Sequence, residues 1–411
     1  MKEKPKLFYV TDYYPYVGGY GRRTYYHIQM LSKTFKVYLF YLYEKEEVPK
    51  IKLGEQVTCI RLETKGKRIG SEALKKNILS NIKLIDSDFI MNFLKGVPLI
   101  YCSSIKEKSK KELEKYYSKL KPEVIIAKRV IGAELVSNIQ LENKILDMTD
   151  SLALFYSSMI KSKEIPISKK MIAMFDHFIA KNYEKNIREK FKLITYISKQ
   201  DLEYCGKIGN ELILPDLYEK TENDKSLKKE NDLITIGVWD YYPNLLSLNY
   251  IIEKILPEIK RKIKFVAVGP INNETKNEIK RKIIKLNLNH DIEIKGYVED
   301  ADREIKKARI MLAPVEIGSG IQNKAIIGLK LGLPIVCSPL IKNSIDPDDK
   351  IESIIVAHNE KQYAERIERL LENEAKLKRF RKISVEAYNQ YAKYTTQQNK
   401  KFINFIRKLI K

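Results

Sequence analysis

The chain has 411 residues, 44% hydrophobic and 31% charged, which is ordinary globular composition in more length than one core usually supports, so two domains or more are expected. Its formal charge of +23 favours polyanionic partners, with an anionic membrane surface the first of them, although the lysines are spread as evenly as a plain lysine bias would leave them. Apolar runs break well short of the ~20 residues of a bilayer span, MKEKPKLFYVTDYYP is no signal peptide, and four scattered Cys and four scattered His suggest neither disulfides nor a metal site, so a cytoplasmic, metal-free protein, peripheral on the inner membrane face, is expected.

In chain order, short β-branched or aromatic runs alternate with helical patterns. Strands are expected at KLFYV (6–10), KVYLFYLY (36–43), VTCIRL (57–62), EVIIAK (123–128), KILDM (144–148) and LITYIS (193–198). Between them, residues 22–33 and 167–191 carry apolar side chains at three- and four-residue steps. Residues 71–95 place Leu74, Ile78, Ile82 and Leu84 among lysines at helical spacing, either a helix packed on its own domain or one lying in a membrane interface. The run 217–231, LYEKTENDKSLKKEN, is charged and nearly devoid of apolar residues, which reads as a linker. The alternation then restarts at 232–237, 264–269, 292–296, 310–315, 334–338 and 352–357, and the chain closes on helix from Glu360 onward. Two doubly wound parallel sheets, α/β domains of Rossmann-like architecture, are the expected fold.

Open parallel sheets bind ligands beyond the carboxyl ends of their strands. The loop after the first strand, TDYYPYVGGYGRRT, holds Gly18, Gly19 and Gly21, then Arg22 and Arg23 at a helix start, a setting for an anion rather than a dinucleotide, since the GxGxxG spacing fails. The loop after the strand at 310–315 is the stronger candidate. Gly318, Ser319 and Gly320 precede a helix that Ser319 could cap; Lys324 lies one turn inside, and Gly332 with Pro334 ends it. Exposed amides with one lysine suit a diphosphate without a metal. Asp147 and Asp150 follow a strand of the first domain, where they could face a second substrate, and Asp150 serves equally as a helix cap. Tyr241 and Tyr242 could stack on a base or sugar, with core packing the plainer reading.

The order of elements and the stretch VEIGSGIQNKAIIGLKLGLPIV (315–336), with GVWDYYPNLLSLNYIIEKILPEI (237–259), resemble retaining glycosyltransferases of the GT-B fold, the glycosyltransferase group 1 type, in a branch of polysaccharide assembly. PYVGGYGRRTYYHIQMLSK (15–33), LKGVPLIYCS (94–103), ILDMTDS (145–151) and NYEKNIREKFKLITYISKQD (182–201) carry the likeness through the first half. The resemblance implies an acceptor domain at 1–216, a nucleotide-sugar donor domain at 232–385, and a final helix at 386–411 packing back on the first domain. It also implies that Gly18, Gly19 and Arg22 face donor phosphates and that Gly318, Ser319, Gly320, Ile321, Gln322 and Asn323 line the sugar and diphosphate, while Lys324 neutralises phosphate charge. The partners implied are a nucleotide-diphosphate sugar and a glycan or lipid-linked acceptor; no recognition motif for nucleic acid accompanies the charge.

Two departures from the family pattern stand out. The family's two glutamates, the second of which holds the ribose, align with Ser319 and Ile327, and an isoleucine cannot accept hydrogen bonds from ribose hydroxyls. Glu316 is the carboxylate that could act instead. The Arg and Lys that usually grip the diphosphate after the first strand of this domain are replaced by Trp239 and Asp240. Two functions therefore compete: a retaining, metal-independent glycosyltransferase, or a non-catalytic GT-B protein that binds a glycan or a partner enzyme.

Overall fold

A computed structural model describes residues 3–15, 19–43, 51–63, 86–221 and 227–410. Thirteen strands form two sheets among these residues. β1 (Lys6–Tyr13), β2 (Lys36–Tyr43), β3 (Val57–Arg61), β4 (Val124–Lys128), β5 (Lys144–Thr149), β6 (Leu193–Tyr196) and β7 (Glu211–Ile213) pair in parallel in the order β3-β2-β1-β4-β5-β6-β7. β8 (Asn231–Ile236), β9 (Lys264–Val268), β10 (Asp291–Gly296), β11 (Ala308–Ala313), β12 (Ile335–Cys337) and β13 (Ile354–Val356) follow the order β10-β9-β8-β11-β12-β13.

Every expected strand is present, within two residues at its ends except β1, which runs three residues further than expected. β7 is the one the sequence did not announce, because Glu-Leu-Ile at the sheet edge is too short and too evenly half-buried to show a period. Near-continuous apolar strands follow from burial on both faces. In β1, Leu7 and Tyr9 enter one core cluster while Phe8 and Val10 enter another, as a two-residue side-chain period requires. β8 and β9 split in the same way, with Leu233 and Phe265 on one face and Ile234 and Val266 on the other.

The chain divides into two compact units. The first comprises residues Met1–Ser157, Met171–Leu217 and Thr395–Lys411, the second Ser158–Lys170 and Tyr218–Tyr394. This differs from simple succession in three places. Residues Ser158–Lys170, expected in the first domain, group with the second. Tyr218, placed in the charged linker, is 4% exposed and packs in the second core, where Tyr388 and Tyr391 flank its ring; its apolar face outweighs its charged neighbours. The closing helix runs unbroken over Glu374–Leu409, so the unit boundary lies inside it at Tyr394. Leu377 and Phe380 serve the second core, whereas Phe402, Ile403 and Ile406 complete the first, against Leu7, Tyr9 and Ile28.

Of the segment 71–95, residues 71–85 lie outside the described residues; Ser87–Leu94 is helical, with Asp86 capping the Phe89 N–H at 2.9 Å. Among the described residues no helix is long and apolar enough to cross a membrane.

Candidate functional site

In the second sheet the strand order reverses between β8 and β11, and the crevice beyond the carboxyl ends of these two strands is where such sheets take ligands. The turn after β8 is drawn tight. Gly269, at the end of neighbouring β9, has φ +136, and a Cβ there would lie 1.8 Å from the Gly237 carbonyl oxygen, so only glycine lets the two strand ends approach. The Trp239 side chain then turns fully into the core, and its backbone N–H donates to the Pro270 carbonyl at 2.9 Å. Asp240 accepts from the backbone N–H of Asn272 at 3.2 Å and from its side-chain amide. Both residues that replace the family's basic pair are thus spent on structure. The helix Tyr242–Tyr250 follows, with Pro243 in its first turn, where a missing N–H costs nothing. Tyr242 lies under the Lys169 ammonium, 4.3 Å from ring centroid to Nζ, with 3.2 Å between Nζ and the phenol oxygen.

The glycine loop after β11 is held from a distant segment. Ser158 Oγ accepts from the Gly318 N–H at 2.9 Å, and Ser162 Oγ donates to the Glu316 carboxylate at 3.1 Å. Gly320 has φ +67, a left-handed turn that delays the helix. Helix Asn323–Lys330 accordingly starts after Gln322, which occupies the cap position without a side-chain bond. Ser319 does not cap it; its carbonyl oxygen accepts from Gln322 Nε2 at 3.3 Å. Asn323 Oδ1 accepts from the Tyr218 hydroxyl at 2.7 Å, and Ile321 and Ile327 both pack half-buried against the core. The helix ends as expected, with Gly332 at φ +71.

Lys324 is the chemically distinctive member of this loop. It is 7% exposed, and its Nζ donates to Asn244 Oδ1 at 3.1 Å, joining the first turns of the two helices that flank the strand reversal. That partner is neutral, and burial lowers the lysine from 10.5 to about 8. A cation desolvated in this way gains from any anion that enters beside it.

The first domain has its own reversal, between β1 and β4. Gly18 lies outside the described residues, and Gly19 opens the helix Gly19–Leu31. The Arg22 guanidinium stacks over Tyr26 at 5.5 Å. Arg23 turns inward instead: Nε and Nη2 donate to Asp147 at 2.9 and 2.7 Å, and Nη1 to the Leu214 carbonyl at 2.7 Å and to Asp216 at 3.2 Å. Asp147, read from sequence as facing an acceptor, is fully buried and also accepts from Thr195 at 3.0 Å. Although burial opposes it, the Arg23 charge holds the Asp147 carboxyl well below the usual range. His27, beside the pair, is driven down to about 3 by burial and by Arg23, so it is neutral. Asp150 is not a helix cap either. Ser151 takes that place in Leu152–Lys161, accepting from the Leu154 N–H at 3.0 Å, and Asp150 stays partly exposed, 3.7 Å from Arg129.

The groups that sequence reasoning missed are Asn244, Ser158, Ser162 and Arg129. Arg129 follows β4 directly at φ +56, and the KRV ending of that strand was its only signal. Among the described residues no group of three or more His, Cys, Asp or Glu side chains converges as a metal site.

Residues 230–373 match the family model described as glycosyl transferases group 1. No curated protein matches the sequence. Among solved structures, the chain is similar to sucrose-phosphate synthase from Thermosynechococcus elongatus, at 13% identity and TM-score 0.64 over 99% of each chain. Anabaena HepE in complex with UDP is similar at 10% identity and TM-score 0.61, over 98% of this chain and 100% of that one. S. aureus TarM, in a complex that includes UDP, follows at 11% and 0.64, over 98% and 99%. At such identities the likeness shows the fold: two Rossmann-like domains of the GT-B type.

Proposed function

We propose that the chain, whose residues 230–373 carry the group 1 match on a GT-B fold, is a retaining glycosyltransferase. It moves a sugar from a nucleotide-diphosphate donor to a glycan or lipid-linked acceptor and uses neither a metal ion nor another cofactor. The observation that carries this reading is Lys324, a buried ammonium with a neutral partner at the strand reversal of the matched domain. A diphosphate supplies the missing negative charge, and the first turn of Asn323–Lys330 adds its amides. The bond between the sugar's anomeric carbon and the diphosphate breaks, and the acceptor oxygen bonds to that carbon from the same face. The acceptor's proton passes to the departing phosphate. Lys324 stabilises the charge that accumulates on the leaving group, the kind of interaction that commonly supplies the largest catalytic contribution. Glu316, oriented by Ser162, accepts from donor hydroxyls in place of the glutamates absent at Ser319 and Ile327. The loop from Gly318 to Gln322 lines the sugar.

Structures of HepE and TarM hold UDP, so UDP and UDP-sugars are the first ligands to test. Turnover of one donor, abolished in Lys324→Ala with the fold intact, supports the assignment. Binding and turnover unaffected by that change would sink it. A second reading, a non-catalytic protein that retains a glycan or enzyme partner, draws on Ile327, whose apolar side chain packs on the core where a ribose ligand belongs. It predicts glycan binding with no hydrolysis or transfer from any donor.

A further inference from the structure

We infer that the first domain docks on an anionic lipid bilayer through apolar and cationic side chains exposed on two of its helices. The first is Ile167–Arg188, whose part within this domain exposes Met171 (67%), Met174, Phe175 (51%) and Phe178 (67%) at helical spacing. These are large side chains that a core would be expected to claim. The second is Ser87–Leu94, which exposes Met91 and Leu94. Buried Asn92 fixes that helix, donating to the carbonyls of Cys102 at 2.9 Å and Ile105 at 2.8 Å.

The charges on these helices select the occupant. Both acids of the longer helix between Met171 and Arg188, Asp176 and Glu184, are buried, whereas Lys181 and Lys185 are exposed. The water-facing side of that stretch therefore offers apolar and positive groups without a carboxylate. On the shorter helix Lys95 follows in the open, while Asp86 is paired with Lys106 and Asp88 accepts from the Glu107 N–H at 3.4 Å. Apolar side chains edged by lysines match the boundary between acyl chains and anionic headgroups. A second copy fits less well, since a twofold contact through these side chains would set lysines against lysines.

The surface is independent of the sugar-transfer reading, and the experiment needs no donor. Trp239, the single tryptophan of the sequence, is fully buried in the other domain and gives a constant background. F178W in the full chain adds an exposed reporter to the longer helix. Its emission should shift to the blue with vesicles of phosphatidylcholine and phosphatidylglycerol, not with phosphatidylcholine alone, and the shift should fade as salt is raised. Replacing Phe175 and Phe178 together by serine should reduce co-sedimentation of the chain with the anionic vesicles by at least about tenfold, with an unchanged melting temperature. Unchanged emission with anionic vesicles, or equal sedimentation of wild type and double variant, overturns the inference. So does a blue shift that grows with protein concentration in the absence of lipid, which would mean that a second copy covers these side chains.

Discussion

Lys324 should make nucleotide binding depend on pH in a way that no surface lysine could. In the free protein its ammonium is buried against a neutral amide oxygen and titrates at about 8 instead of 10.5; at about 1.36 kcal/mol per pH unit, the charge costs the fold roughly 3 kcal/mol at neutral pH. A diphosphate beside it reverses that cost, so the complex keeps the proton to higher pH than the free protein does. Below pH 8 the lysine is already charged and affinity is level. Above it each binding event takes up a proton, and affinity falls by up to about tenfold per pH unit until the complex itself titrates. Calorimetric titration with UDP in two buffers of different ionisation heat, between pH of about 7 and 9.5, reads the uptake directly, and it should rise from near zero to about one proton. K324M supplies the control, since the remaining linkage belongs to the nucleotide. The folded-state value lies below the unfolded one, so this group costs stability at neutral pH, and the cost is relieved as pH rises from about 8 toward 10.5. K324M should therefore raise the melting temperature at pH 7 while weakening, without abolishing, UDP binding. UDP binding without proton uptake at the upper end of that range, or K324M binding with the wild-type affinity and slope, refutes the reasoning.

Ile327→Glu should tighten UDP by about 1.5–3 kcal/mol, the worth of a hydrogen bond to a charged group, at a small loss of stability because the isoleucine packs half-buried; no gain would mean that the ribose does not lie along this helix. Asp147→Ala leaves Arg23 buried with Asp216 as its remaining carboxylate and should cost about 3–5 kcal/mol in chemical denaturation at pH 7. Because the Asp147 carboxyl is depressed in the fold, its contribution is present above the ordinary carboxylate range and is lost as pH falls below it, so wild type and variant should converge in acid. Asp176 has the opposite sign: burial raises it from 3.8 to about 6, and Oδ1 is buried without a partner. Its cost develops between those two values, so Asp176→Asn should stabilise by about 1–3 kcal/mol at pH 7 and by almost nothing at pH 4, measured by urea unfolding.

The parallel sheets were legible because each strand is a short β-branched or aromatic run, and the expected 36–43 coincides with β2. The helix after the glycine loop was legible as local structure, since Gly320 before it and Gly332 after it punctuate the apolar run. What failed were roles of single side chains that depend on a distant partner. Asp147 ends a strand as an acceptor-side carboxylate would, but Arg23, 124 residues earlier, claims it. Ser158 reaches the glycine loop across 160 residues of chain, and no periodicity could announce that. Ser319 satisfies the composition rule for a cap, yet the left-handed turn at Gly320 moves the helix start past it.

The closing helix gives this chain an unusual order of assembly. Phe402 and Ile406 sit in the same core cluster as Leu7, Tyr9 and Leu31, the Arg407 guanidinium reaches Thr34 at 3.0 Å, and the Leu409 carbonyl accepts from Asn143. On the ribosome, the residues that open the first sheet leave the tunnel before any of the second sheet, and those that seal its core leave after all of it. For the whole time taken to synthesise the second sheet, β1 and the helix Gly19–Leu31 present an unfinished apolar face. A nascent chain of this design should hold chaperones on its first half until residues beyond 400 have emerged.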